Sequence, residues 1–172
     1  IIDSTLGELR RRGIDYRGIL YGGVMLTEAG PMILEYNIRL GDPETQVVLP
    51  CIQGDVAQML AMTAAGETPL GVLSTGACVT VVIAADGYPD PPKTGDVITG
   101  IEEANAMDEV MVFHAGTAVD DDGNFVTAGG RVLNVTARGN TVAEAKVRAY
   151  QAIDCINFRG MQYRSDIAST NT

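Results

Sequence analysis

Apolar and polar positions along this chain first follow a helical spacing and then, past the middle, a strand spacing. Ile2, Leu6 and Leu9 recur at helical intervals, and Gly13 follows as a C-cap, so the pattern predicts a helix over 2–12. Residues 17–27 are apolar and Gly-rich. A Glu28-Ala-Gly-Pro31 turn follows, and a second apolar run covers 32–40, which together predict a β-hairpin. The short pattern over 45–51 ends near Pro50. Asp55 then reads as the N-cap of a helix over 56–65, with an apolar stripe of Val56, Met59, Leu60 and Met62 in which the methionines fill core. Residues 66–76, rich in Gly, Thr, Pro and Ser, read as a domain boundary, giving domains at 1–68 and 69–172. Beyond it, strands are expected at 77–84, 97–101, 110–114 and 132–136, with a turn-rich loop at 86–92. A last helix is expected over 142–157, capped by Asn140 or Thr141, with Ala143, Val147, Tyr150 and Ile153 available for packing. The expected fold class is α+β. A hairpin with flanking helices precedes a small, mainly antiparallel β domain that carries a C-terminal helix.

The run 35–46 (EYNIRLGDPETQ) changes this picture from architecture to chemistry. Side chains in a strand alternate faces, so Glu35, Asn37 and Arg39 are expected to share one, while Tyr36, Ile38 and Leu40 turn into a core. A carboxylate, an amide oxygen and a guanidinium side by side suit a hard cation and the phosphate it carries. Mg²⁺ takes oxygen ligands and is shared with substrate phosphates, so two protein ligands suffice. Arg39 can hold phosphate oxygens through its planar fork. The loop of Gly41, Asp42, Pro43, Glu44, Thr45 and Gln46 then adds two carboxylates and an amide at a strand end, where function is often carried. A half-buried strand with a surface ion pair would produce the same isolated pattern.

Composition excludes several classes. With 46% hydrophobic residues the 172-residue chain can bury a core, and its net charge is −10. Nucleic-acid binding needs basic clusters, and the triplet Arg10, Arg11 and Arg12 reads instead as a helix end, where cations suit the dipole. Cys51, Cys78 and Cys155 have no paired spacing and read as buried free thiols, arguing against a secreted disulfide framework or a zinc site. No apolar run reaches the ~18–20 residues of a membrane span, and no signal peptide is visible, so the cytoplasm is the expected compartment. The chain opens on Ile1 without a methionine, which fits a piece of a larger protein.

Other candidates weaken on inspection. The acidic run from Asp120 to Asn124 fails an EF-hand register, because the sixth position is Phe125 and the twelfth Arg131, and so reads as a hairpin turn. His114, the single histidine, sits in a strand context with no nucleophile motif beside it. Gly22-Gly23 and Gly129-Gly130 lack the Lys-Ser/Thr of a phosphate loop. The first pair suits close approach to the strand, and Arg131 after the second suits either a phosphate contact or a plain strand position.

Residues 35–49, with 16–23 (YRGILYGG) before them, resemble the late part of the ATP-grasp fold in the phosphoribosylamine–glycine ligase family (glycinamide ribonucleotide synthetases). The resemblance continues in order through 87–89 (GYP), 112–117 (VFHAGT), 129–133 (GGRVL), 135–137 (VTA), 149–150 (AY) and 163–167 (YRSDI), which are similar to that family's C-terminal domain. It implies an ATP-dependent ligase that activates glycine as an acyl phosphate and joins it to 5-phosphoribosylamine, giving glycinamide ribonucleotide, ADP and phosphate in purine biosynthesis. It also implies Glu35 and Asn37 as ligands of Mg²⁺ or Mn²⁺, Arg39 on the phosphate side, and Arg39 and Asp42 as catalytic candidates. Residues 41–46 would line the acyl-phosphate and amine end, where Asp42 and Glu44 would hold an ammonium or orient the loop. His114 would belong to the domain closing one side of the cleft. Residues 19–24 carry no carboxylate, unlike many ATP-grasp enzymes. The lysines Lys93 and Lys146 both lie past the boundary, so the nucleotide-gripping part is expected on an N-terminal portion of the same protein, and this chain alone is expected not to turn over. Two other readings stay open: another ATP-grasp carboxylate–amine ligase, and a non-catalytic binding or interaction module.

Overall fold

The computed structural model describes residues 1–69, 72–73 and 76–169, and of the expected 66–76 boundary, residues 70, 71, 74 and 75 lie outside the described residues. The chain divides into two compact units, Ile1–Thr45 with Ile52–Leu73, and Gln46–Cys51 with Ser74–Thr172.

The first unit opens on helix α1 (Ile2–Arg11), whose last turn carries Arg10 and Arg11. Glu8 binds the guanidinium of Arg11 and that of Arg12, each at 2.7 Å, and these bonds hold the Glu8 carboxyl below its ordinary range. Two arginines of the basic triplet, Arg11 and Arg12, are thus paired within the helix end itself. Gly13 follows at φ +72°, a left-handed conformation that glycine adopts at little cost. Strands β1 (Tyr21–Thr27) and β2 (Gly30–Asn37) form the expected antiparallel hairpin, with Thr27 opposite Gly30 and a one-residue bulge between Gly23 and Val24. Helix α2 (Glu44–Val48) and a 3-10 turn (Leu49–Cys51) replace the undefined pattern expected there; α2 runs from the first unit into the second, and the turn lies in the second. A two-residue strand β3 (Ile52–Gln53) pairs with β4 (Val72–Leu73). Helix α3 (Val56–Ala65) begins where expected, because the Asp55 side chain accepts from the Gln58 amide at 2.9 Å, and it ends at Gly66 in the left-handed conformation. Its stripe is only half-buried, and Leu60 is exposed.

The second unit is a four-stranded antiparallel sheet in the order β10–β5–β9–β6, made of β5 (Ala77–Ala84), β6 (Val110–His114), β9 (Arg131–Gly139) and β10 (Gln162–Tyr163). Helix α5 (Val142–Ile153) lies on β9 and β5. Strands β5 and β6 occupy the expected residues, as continuous β-branched runs require. Val79, Val81 and Ile83 of β5 stand opposite Ala137, Val135 and Leu133 of β9 and form the core with Ile153, Ile156 and Phe158. Strand β9 holds Thr136 fully buried, and its hydroxyl donates to Thr80 at 2.7 Å. The Gly130 backbone runs so near the Tyr88 ring that a Cβ there would lie 2.6 Å from it.

Three expectations are corrected here. The strand expected at 97–101 is two single bridges, from Val97 to Val126 and from Thr99 to Asn157, followed by helix α4 (Ile101–Asn105). Gly100 at φ +80° breaks the extended run and starts the helix. Helix α5 ends at Ile153 rather than 157, and it packs through Ala145, Ala149, Ala152 and Ile153. Ala143 and Val147 face solvent, because an alanine face lets the helix approach the sheet more closely. Of the cysteines, Cys51 and Cys78 are half-buried and Cys155 is exposed, all as free thiols. Burial, together with the neighbouring Cys51, pushes the Cys78 thiol up to about 12. The run from Asp120 to Asn124 is the turn of a small hairpin, β7 (Thr117–Val119) with β8 (Phe125–Thr127). There Asp120 accepts from the backbone of Asp122 and Asn124 at 3.0 and 2.8 Å.

Candidate active site

The open end of the β1–β2 hairpin brings the candidate residues of the first unit together. Glu35 and Asn37 project from the same face of β2, and the Asn37 amide Nδ2 donates to Glu35 Oε1 at 3.0 Å. Gly23 stands opposite Glu35, and its missing side chain makes room for the carboxylate, since a Cβ would lie 3.1 Å from Glu35 Cγ. The Gly22-Gly23 pair therefore accommodates side chains, Ile33 at the first position and Glu35 at the second.

Arg39 departs from expectation. Strand β2 ends at Asn37, so Arg39 lies in a bend past the ladder, where alternation no longer sets its direction. Its Nη1 donates to the Leu40 carbonyl at 2.9 Å. The other face is not a core either: Ile38 is 77% exposed and Tyr36 42% exposed.

The loop after the bend is tightly folded. Gly41 is buried, the Asp42–Pro43 peptide is cis, and both the amide and the hydroxyl of Thr45 donate to the Gly41 carbonyl. Glu44 opens α2 and folds back over Gly41, where a Cβ would meet its Cδ at 2.9 Å. Asp42 is exposed, and Gln46 is half-buried and falls in the second unit.

Tyr21 escaped the sequence reading. Its hydroxyl donates to Glu44 Oε1 at 3.1 Å, and that bond, with the charge of Glu44 and then of Glu35 nearby, raises its pKa above the ordinary tyrosine range. It stands opposite Asn37 in the hairpin, so Tyr21, Gly23, Glu35 and Asn37 share one face. A register counted back from the turn would place Tyr21 opposite Tyr36 instead, and the shift comes where Gly23 pairs with Glu35 but Val24 with Ile33, so that Leu34 of β2 is the extra residue.

In the second unit, His114 ends β6 exposed, hydrogen-bonded through Nδ1 to Thr117 Oγ1 at 3.0 Å and tilted on Phe125 with ring centroids 4.6 Å apart. Arg131 begins β9. Among the described residues, no group of three or more His, Cys, Asp or Glu side chains could hold a metal ion. No described helix is long and apolar enough to cross a membrane.

Residues 78–170 match the family profile described as phosphoribosylglycinamide synthetase, C domain. The chain belongs to the phosphoribosylglycinamide synthetase family. Residues 1–45 match the ATP-grasp (A) domain of the same synthetase. The chain is 45% identical to a phosphoribosylamine–glycine ligase of Streptomyces coelicolor, over 98% of its length and 42% of that protein's. It is 46% identical to one of Chlorobaculum tepidum, over 98% of its length and 40% of that protein's. It therefore spans about two fifths of the length of the relatives it matches. The crystal structure of the phosphoribosylamine–glycine ligase of Thermotoga maritima superposes with a TM-score of 0.82 at 41% identity, covering 95% of this chain and 40% of that one. A more distant likeness, to N5-carboxyaminoimidazole ribonucleotide synthetase of Thermotoga maritima, has a TM-score of 0.60 at 14% identity and concerns the fold alone. The fold of this synthetase-family chain is thus α+β, with the end of an ATP-grasp architecture followed by an antiparallel sheet domain.

Proposed function

We propose that this chain is part of an ATP-dependent carboxylate–amine ligase that joins glycine to 5-phosphoribosylamine, giving glycinamide ribonucleotide, ADP and phosphate. Residues 1–68 are the end of its ATP-grasp domain and 69–172 its C-terminal domain, acting in the cytoplasm with an N-terminal portion of the same protein. The observation that carries the reading is the Glu35–Asn37 pair, joined at 3.0 Å on the hairpin face that leads into the folded 41–46 loop.

The donor set fits Mg²⁺ or Mn²⁺. Glu35, exposed, and Asn37, half-buried, offer a carboxylate and an amide oxygen, both hard, on one face, and phosphate oxygens and water complete such a shell. The bound ion would neutralise charge on the polyphosphate during phosphoryl transfer. Glu35 and Asn37 would hold it, and Arg39, whose Nη1 now donates to the Leu40 carbonyl, would turn its guanidinium to phosphate oxygens. The glycine carboxylate attacks the γ-phosphorus as the bond to ADP breaks. The amine of phosphoribosylamine then attacks the glycyl carbonyl carbon, phosphate leaves with the C–O bonding pair, and the nitrogen loses a proton. Asp42, exposed on the loop, suits the ammonium of glycine.

Phosphate release by the full-length protein tests this. Glu35→Gln and Asn37→Ala should each lower metal-dependent turnover on the order of a hundredfold or more. Unchanged turnover would favour a non-catalytic module, and turnover with a different acid or amine would favour another ligase. The 172-residue chain by itself should release no phosphate above background.

A further inference from the structure

We propose that Tyr21 is a positioning residue that latches Glu44, and through it the 41–46 loop, beside the Glu35–Asn37 face. The inference rests on the ligase reading above and deepens it, assigning a role to a side chain that bears no metal-ligating group and no charge.

Four observations converge on it. The Tyr21 hydroxyl reaches Glu44 Oε1 at 3.1 Å although 23 residues separate the two in sequence. Tyr21 is set opposite Asn37 by the hairpin register, so the face that carries the metal-ligand pair also carries the latch. Glu44 is confined from its other side by Gly41, whose missing Cβ leaves room for the returning carboxylate. Thr45 closes the same turn by donating its amide and hydroxyl to the Gly41 carbonyl. A flexible glutamate on a short helix would ordinarily swing in solvent. Here one hydroxyl and one absent methyl fix its direction, and with it the first turn of α2.

The arrangement separates the two loop carboxylates by task. Glu44 engages the latch and orients the loop, while the ligase reading assigns Asp42 to the amine end. Ligand placement depends steeply on such orientation, since a displacement of about 1 Å can cost up to about a hundredfold in rate.

The test uses the full-length protein. Tyr21→Phe keeps the ring and removes the latch, and Gly41→Ala displaces the Glu44 carboxylate while its new Cβ presses on Glu44 Cβ at 3.1 Å, so the first turn of α2 gives slightly as well. Each should lower kcat/KM for glycine about tenfold, and the double variant should be no worse than either alone, because both break one latch. For Tyr21→Phe, Mn²⁺ affinity read by electron paramagnetic resonance, and the thermal midpoint, should stay at the wild-type values. Glu44→Gln keeps an acceptor for the hydroxyl and should retain about fivefold more activity than Glu44→Ala. Wild-type kinetics from Tyr21→Phe, additive losses in the double variant, or equal losses from the glutamine and alanine variants would each overturn the latch. If Glu35→Gln abolishes turnover while Tyr21→Phe does not lower it, the positioning role fails and the ligase reading stands. If Glu35→Gln leaves turnover intact, the ligase reading itself fails.

Discussion

The two units differ in what holds them. All the buried hydrophobic side chains of the core lie between Val79 and Phe158, in the second unit. Among the described residues of the first unit, Gly41 is the one buried position, and Leu26, Leu34 and Ile38 are 82%, 66% and 77% exposed. The unit with the densest chemistry is thus the one with no packed interior. Its geometry is set by a hairpin ladder, helix caps and a few directed side-chain bonds, whereas that of the second is set by close packing. Packing distributes the cost of an error over many contacts, while a latch such as Tyr21–Glu44 is made or broken as a whole.

Hydrogen exchange should show the largest contrast. Amides of β5 and β9 should open only with global unfolding, while those of β1 and β2 exchange by local fraying, orders of magnitude faster. Equal protection in the two would erase the distinction. Thiol labelling comes next. The Cys78 thiol, pushed up to about 12, stays protonated through neutral pH, and only the thiolate reacts. Exposed Cys155 should therefore alkylate first at pH 8, and the Cys78 rate should keep rising well past the point, near pH 8.5, where an ordinary thiol levels off. Among substitutions, Leu133→Ala in the second unit should cost about 2–5 kcal/mol in denaturant unfolding, against within about 0.5 kcal/mol for Leu26→Ala in the first. The smallest effect concerns the caps, Thr141 accepting from Glu144 at 3.2 Å and Asp55 from Gln58 at 2.9 Å. Alanine at either should cost about 1 kcal/mol locally, and only the Thr141 loss should appear in the unfolding of the second unit.

Sequence patterning succeeded where local chemistry decides and stopped where tertiary geometry does. The β-branched runs that became β5 and β6, the Asp55 cap and the hairpin were all legible, because propensity, capping and turn residues agree there. Alternation paired Glu35 with Asn37 correctly but carried Arg39 two residues beyond the end of the strand. The apolar positions of α5 were legible as a class, yet which of them faces the sheet depended on how closely alanines let the helix settle. Tyr21 was hidden for a sharper reason: one bulge residue decides whether it stands opposite Tyr36 or Asn37, and no pattern of polar and apolar positions encodes that shift.

The approach of Gly130 to Tyr88 couples two positions that are 42 residues apart in the sequence. Gly130 is outside the left-handed region, so space rather than backbone conformation is what a side chain there would contest. Its Cβ would lie 2.6 Å from the Tyr88 ring, which is itself 43% exposed. A residue larger than glycine at 130 therefore requires the ring at 88 to turn outward or to be replaced by something smaller, so neither position can be chosen without regard to the other.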